Sequence, residues 1–171
     1  MFENRQEAGE ILSQKLLKFK GIKNALILAI PRGGVVIGKV VADTLGIPLG
    51  MVYAKKIPTP GQPELAAGAY IARGKKFGKT PNVNSKTVIL TDDGIATGAT
   101  VETAIKYLRK EKVKKIILAV PVAPKETVKK LKCMVDRLII LETPTFFGAV
   151  GEFYRDFPQV TDEEVIQLLQ K

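Results

Sequence analysis

The stretch of this chain best equipped for chemistry is VILTDDGIATGAT, residues 88–100. A short apolar run ends in two adjacent acids, Asp92 and Asp93. Gly94, Ile95, Ala96, Thr97, Gly98, Ala99 and Thr100 follow, and a helical pattern then resumes. A loop that feeds a helix N-terminus offers free backbone N–H groups and the positive end of the helix dipole, which together favour a phosphate. Glycines open backbone conformations closed to other residues, and threonine hydroxyls add donors to such an anion nest. Two carboxylates would repel a bare phosphate. They make sense when the phosphate is carried on a polyol, because carboxylates accept hydrogen bonds from sugar hydroxyls, as the ribose-binding acid does in dinucleotide sites. A ribose 5-phosphate meets both requirements. The plainer reading is a strand-turn-helix with Asp93 as the helix cap. The string is neither a P-loop, whose lysine it lacks, nor a G-x-G-x-x-G turn.

What is missing narrows the chemistry. The chain has no histidine, which removes the commonest general base and zinc ligand and excludes a zinc enzyme or a Ser-His-Asp hydrolase. A metal here would be a hard ion held by carboxylate and ligand oxygens, namely magnesium. The single cysteine, Cys133, excludes an intrachain disulfide and reads as a small buried apolar residue. The formal charge of +10 points to an anionic partner, either nucleic acid or a phosphorylated small molecule. No apolar run reaches the ~18 residues of a membrane span, and MFENRQEAGEIL lacks a signal-peptide apolar region. The expectation is a cytoplasmic protein.

The remaining chain supplies elements to position these residues. Ala8, Ile11, Leu12, Leu16 and Leu17 recur at helical spacing over residues 4–18. NALILAI (24–30) reads as a buried strand, PRGG (31–34) as a turn, and VVIGKVVADTLG as a helix ended by Gly46. PLGMVYAKKI (48–57) reads as a second strand, PTPGQPE as a loop, LAAGAYIA (65–72) as a third strand, and the basic segment 73–86 as a loop. Strands at 87–92, 114–122 and 136–142 alternate with helices at 99–111 and 124–134. Residues 143–160 are aromatic-rich and irregular, and Thr161 caps a last helix. Alternating strands and helices predict an α/β domain with a mostly parallel sheet and helices on both faces, with the ligand outside the strands' carboxyl ends.

Residues 88–100 resemble the signature of type I phosphoribosyltransferases, which bind 5-phosphoribosyl 1-pyrophosphate (PRPP). The likeness extends through NRQEAGEIL, PRGG, KKIPTPGQPELAAGA, AVPVAP and TPTFFGAVGEFYRDF, and is similar to a bacterial and archaeal group of that family with no assigned substrate. The resemblance implies one domain over residues 1–171, a Rossmann-like α/β fold with a small C-terminal hood near 143–160 and the N-terminal segment. It implies transfer of the phosphoribosyl group from PRPP, with magnesium, to a nitrogenous base, releasing pyrophosphate. Asp92 and Asp93 would hold ribose hydroxyls and magnesium, and residues 94–100 the 5′-phosphate. Arg32 and Gly33 would hold pyrophosphate through a loop that in the family often has a cis peptide. Lys55 and Lys56 would neutralise it; because adjacent strand residues face opposite ways, only one enters, and Lys56 is the choice. Segment 73–86 stands where the family has its flexible catalytic loop. Phe147 and Val150 would meet the base. The 6-oxopurine enzymes carry an acid where this chain has Ala96, so the general base stays open: Glu64, the bound pyrophosphate, or none. A homodimer is usual in the family. Two other readings stand beside this one: a non-catalytic PRPP or nucleotide sensor that also binds nucleic acid, and a generic phosphosugar binder.

Overall fold

The structure, a computed structural model, describes residues 1–59, 62–71 and 81–170, with the backbone alone for 55–59 and 62–71. Five strands form one parallel sheet in the order β2-β1-β5-β6-β7: β1 (Ala25–Ala29), β2 (Leu49–Met51), β5 (Thr87–Thr91), β6 (Lys115–Val122) and β7 (Arg137–Glu142). The strands read as continuous apolar runs because both faces are covered. Ile27, Ile89, Ile117 and Ala119 pack toward helices α1 (Arg5–Leu16) and α2 (Gly33–Leu45). Leu28, Leu90, Ile116 and Leu118 pack toward α3 (Ala99–Lys110) and α4 (Lys125–Lys132). That is the period-two alternation of a strand buried on both sides.

The connections explain the layers. From β1 the chain crosses through α2 to β2 on one side. From β5 it steps through α3 to β6 and through α4 to β7 on the other. Right-handed crossovers in opposite directions put their helices on opposite faces. The strand order therefore reverses between β1 and β5, and a crevice opens at their carboxyl ends, where residues 31–34 and 92–93 lie. A last helix, α5 (Asp162–Gln170), packs on α2. Thr161 Oγ1 accepts from the Glu164 amide while Glu164 Oε2 accepts from the Thr161 amide, at 3.2 and 2.6 Å, a reciprocal capping box.

Several expectations need correction. The stretch 48–57 is two strands: β2 ends at Met51, and β3 (Ala54–Thr59) turns back through β4 (Gln62–Ile71) as a separate antiparallel hairpin. The third strand therefore joins this hairpin, not the sheet, and most of the expected Pro/Gly loop is strand; its residues 60 and 61 lie outside the described residues. Pro58 cannot donate to a ladder, and the pairing register shifts beside it, which is why sequence pattern read the stretch as a loop. Gly33 and Gly34 are already helical, so the PRGG turn is shorter than expected. On α1 the buried stripe is Arg5, Ala8, Gly9, Leu12, Ser13 and Leu16, with Ile11 and Leu17 exposed. Cys133 is exposed, because α4 has only eight residues and buries just Thr127 and Leu131.

Beneath the crevice, Thr91 Oγ1 is buried without a hydrogen-bond partner among the described residues. A Cβ on Gly38 of α2 would stand 3.1 Å from it. A buried unpaired hydroxyl weighs against folding. Replacing it by a methyl group, Thr91→Val, is expected to raise the unfolding free energy by about 1 kcal/mol in urea titration.

Candidate functional site

The centre of the site is the junction of β5 with the following loop. Asp93 lies two residues beyond the strand end, and its Oδ2 accepts from Arg5 Nε at 2.7 Å. Arg5 lies in the first turn of α1. It also donates from Nη1 to the Pro158 carbonyl at 2.7 Å, and its guanidinium lies 3.7 Å over the Phe157 ring. The Arg5 and Asp93 side chains are 8% and 15% exposed, so this pair is largely out of water. The Asp93 carbonyl accepts from Tyr154 Oη at 2.5 Å. Burial first, then repulsion from Asp93, pushes the Tyr154 hydroxyl far above its usual range and keeps it a donor. The hood is further zipped to the N-terminal segment: the Phe2 amide donates to Phe153 O, and the Arg155 amide to Phe2 O, at 2.8 and 2.9 Å.

Asp92 is placed differently. Its Oδ1 accepts from the Asp93 amide at 2.8 Å, and its carboxyl also meets the Asp93 side chain. Removal from water, and then the repulsion of Asp93, raise its carboxyl well above the usual carboxylate range. Shifted groups of this kind gather at functional clefts.

The loop leaves the acids toward α3. The Ile95 amide bonds Val122 O at 2.9 Å, while the amides of Ala96, Thr97 and Gly98 have no acceptor among the described residues. Ala96 and Thr97 are exposed. Gly98, at φ 79°, is the N-cap of α3, so Asp93 is not; only glycine takes that left-handed turn without strain. Thr127 of α4 donates from Oγ1 to Ala96 O at 2.7 Å and so pins the loop from outside. Ala99 and Thr100 form the first turn of α3. The arrangement is an open anion nest on a helix N-terminus.

At the end of β1 the Pro31–Arg32 peptide is cis. Arg32 is half exposed; its Nε lies 3.3 Å from Asp162 Oδ1 and its Nη1 3.3 Å from Val160 O. A pair this exposed contributes about 0–1 kcal/mol, so a stronger anion can displace Asp162. Gly33 is needed for space: a Cβ there would stand 1.8 Å from Asp93 Oδ2 and 2.7 Å from Arg5 Nε. Lys55 and Lys56 are not at the end of a sheet strand as expected. They lie in β3, paired in register with Tyr70 and Ala69, because the hairpin begins only after β2 has ended; their side chains lie outside the described residues, as does that of Glu64. Of the basic segment, residues 73–80 also lie outside them. Val150 reaches the loop, since a Cβ on Gly94 would stand 2.5 Å from its Cγ1. Phe147 stacks on Phe153 at 5.2 Å, while its neighbour Phe146 is 90% exposed. Among the described residues no group of three carboxylate or thiol side chains gathers as a metal cage.

Three contributors escaped the sequence pattern. Arg5 sits at i relative to Ala8, Gly9 and Leu12, the spacing of a buried helical stripe, and that was the available signal. Tyr154 and Thr127 act through single hydrogen bonds from distant segments, for which no spacing signal exists.

Two outcomes follow from this packing. Gly33→Ala is expected to lower stability by about 1–3 kcal/mol, a fall of about 2–12 °C in Tm by scanning calorimetry. Asp92 tests the electrostatics. An acid with a higher pKa folded than unfolded stabilises the fold in its protonated form. That contribution is complete below the ordinary value of 3.8 and disappears as pH rises through the folded value. Above that ordinary value Asp92 therefore weighs against folding. Asp92→Asn is expected to melt above wild type at pH 7, with the gain shrinking as the pH is lowered toward that ordinary value.

Comparison with known proteins bears on the family and the fold. A model of the phosphoribosyl transferase domain matches residues 3–158. A Mycobacterium tuberculosis protein provisionally named a phosphoribosyl transferase is 32% identical across 100% of this chain and 47% of its own length; the chain spans about half the length of the curated relatives it matches. The crystal structure of a Thermus thermophilus protein, TT1426, is 32% identical, with a TM-score of 0.85 over 98% of this chain and 97% of that one. A hypoxanthine phosphoribosyltransferase from Staphylococcus aureus, 16% identical, shares the fold at a TM-score of 0.60, covering 84% and 74% of the two chains. No helix among the described residues is long and apolar enough to cross a membrane. Matched over most of its length, the chain belongs to the phosphoribosyl transferase domain family.

Proposed function

We propose that the protein binds PRPP with magnesium and transfers the 5-phosphoribosyl group to a nitrogenous, nucleobase-like acceptor, releasing pyrophosphate. One observation carries this reading: an acidic strand end at Asp92 and Asp93 adjoins a loop whose amides at residues 96–98 have no acceptor among the described residues. In this reading the loop from Gly94 to Thr100 receives the 5′-phosphate and the acidic strand end receives ribose hydroxyls. Arg32, released from its exposed pair with Asp162, and the backbone at Gly33 receive pyrophosphate. Lys55 or Lys56 adds positive charge, and Val150 and the aromatic hood approach the acceptor.

The donor set suits magnesium bound chiefly through its ligand. Asp92 and Asp93 set two carboxylates side by side at the strand end, and magnesium normally takes one or two carboxylates with phosphate oxygens and water. Bound there, it would neutralise charge on the departing pyrophosphate. The chain's own work is positional and electrostatic. Glycosyl transfer passes through an oxocarbenium-like transition state, so holding the ribose still and placing fixed charge near the leaving group lower the barrier.

Calorimetric titration with PRPP and magnesium tests this. Wild type is expected to bind, and the double variant Asp92→Asn/Asp93→Asn to lose at least about tenfold in affinity, the scale of charged hydrogen bonds. Pyrophosphate release is then screened against nucleobases. Absence of wild-type binding would overturn the reading. Binding without turnover of any base would favour a PRPP sensor, and salt-dependent nucleic-acid binding would strengthen that alternative.

A further inference from the structure

The chain's net charge of +10 gathers at the end of the sheet away from the crevice. Five stretches lead into the parallel strands: 15–25 before β1, 44–49 before β2, 81–87 before β5, 109–115 before β6 and 131–137 before β7. They hold twelve of the chain's 27 lysines and arginines but only two of its 17 acids, Glu111 and Asp136. The rest of the sequence carries 15 of each, so the whole excess resides in these turns. Four helices end here, and each C-terminus contributes about half a negative charge, or about two in all. That offsets only a fifth of the excess.

The turns form one surface. The Lys114 amide donates to Lys86 O at 2.9 Å, the Ser85 amide to Lys112 O at 3.0 Å and the Thr87 amide to Asn24 O at 3.0 Å. Lys86 Nζ donates to Asn24 Oδ1 at 3.1 Å. Lys18 and Arg137 stand 5.4 and 6.0 Å from the centre of the same ring, Phe19. Eleven of the twelve cations are exposed, and Lys86 is half-buried. Among the described residues Arg109 alone of the twelve is ion-paired, with Asp136 at 3.0 Å, and that carboxylate also accepts from the Ile116 amide at 2.7 Å. Asp43, in the last turn of α2, is taken by Lys39 at 2.7 Å. Like charges held this densely weigh against the compact state, so an external polyanion is the missing counter-charge.

We propose that this face binds the phosphate backbone of a nucleic acid without reading its sequence. Neighbouring strands lie about 4.8 Å apart, so the turns from β1 to β7 span about 14 Å, room for several phosphates at one per 3.4 Å of a strand. Exposed Asn82, Asn84 and Ser85 add amide and hydroxyl groups of the kind that bond phosphate oxygens. The helices end on this face instead of lying across it, so none is offered to a groove. An anionic lipid surface is served less well, because the large apolar side chains exposed in these turns are Leu17 and Ile22, at 42% and 37%, too little to enter an acyl layer. The inference is independent of the transfer reading. A five-residue strand sets this face about 17 Å from the crevice, so both ligands are accommodated together.

Fluorescence anisotropy with a labelled DNA duplex and a labelled RNA single strand tests this. Wild type is expected to bind at least one with a Kd of about 1–100 μM near physiological salt, and log K is expected to fall against log salt with a slope of about −3 or steeper. Lys20→Gln/Lys23→Gln/Lys114→Gln/Lys115→Gln is expected to bind at least about tenfold more weakly with a shallower slope. Lys106→Gln/Lys125→Gln/Lys129→Gln/Arg155→Gln removes as much charge from exposed positions outside these turns and is expected to stay within about threefold of wild type, since salt screens distant charges. Circular dichroism checks folding. If the first variant does not fold, Lys20→Gln/Lys23→Gln and Lys114→Gln/Lys115→Gln are each expected to give about half its loss in log K. PRPP at constant magnesium is expected to leave the affinity within about twofold; full competition would move the nucleic acid to the crevice and overturn the proposal. Equal losses in the two quadruple variants overturn it, since net charge alone would then be at work. So does a wild type that binds neither nucleic acid, including one that binds vesicles of phosphatidylserine and phosphatidylcholine instead.

Discussion

The structure turns on one ion pair. Removing a guanidinium and a carboxylate from water costs several kcal/mol per ion, and the Arg5–Asp93 pair is tolerable only because the surroundings satisfy it. Arg5 has a carboxylate, a carbonyl and an aromatic face around it, while Asp93 has Tyr154 on its carbonyl. These partners come from the first helix, the central strand end and the C-terminal hood. The pair therefore does little for stability in itself and much for arrangement. It demands that three remote segments converge, and the Phe2–Phe153 and Arg155–Phe2 backbone bonds hold two of them together.

Around this fixed point the site is left incomplete in ways that suit an anionic sugar. The sheet core is sealed on both faces, with Ile27, Ile89 and Leu90 wholly buried. Two residues past that core, burial and the neighbouring Asp93 raise the Asp92 carboxyl above its ordinary range, and the loop amides beyond it lack acceptors among the described residues. Sites that bind and react commonly carry such local disadvantages, offset by the rest of the fold. The contrast between Arg5 and Arg32 follows the same logic. One arginine is locked in a dry pair, the other rests on an exposed one.

Much of the fold was legible because its strands are buried on both faces and its helices are periodic. NALILAI and TVILTD are continuous apolar runs between turn residues, and the first four residues of VVIGKVVADTLG already place Val35 and Ile37 toward the core. The β3–β4 hairpin was not legible as such. Pro58 and Pro63 argue locally for a loop, and only pairing between the two segments makes them strands. Within the site, residues 92–100 are contiguous and declared themselves. Arg5 did not, because a charged residue on an amphipathic helix is ordinarily solvated; its place on the buried stripe with Ala8 and Leu12 becomes meaningful only when Asp93 arrives opposite. Cys133 failed for the reverse reason, an apolar residue type on a helix too short to bury it.

The bond from Thr127 to the Ala96 carbonyl has a consequence for what a motif is. The anion loop is written in seven consecutive letters, Gly94 to Thr100, but its shape is held by a hydroxyl that enters the chain thirty-one positions after Ala96, after one more strand and helix have been laid down. A fragment ending before α4 would contain every residue of the signature and lack the contact that holds the Ala96 carbonyl in place. The signature is local as text and non-local as a surface, so during folding the nest completes only when the sheet has grown past it.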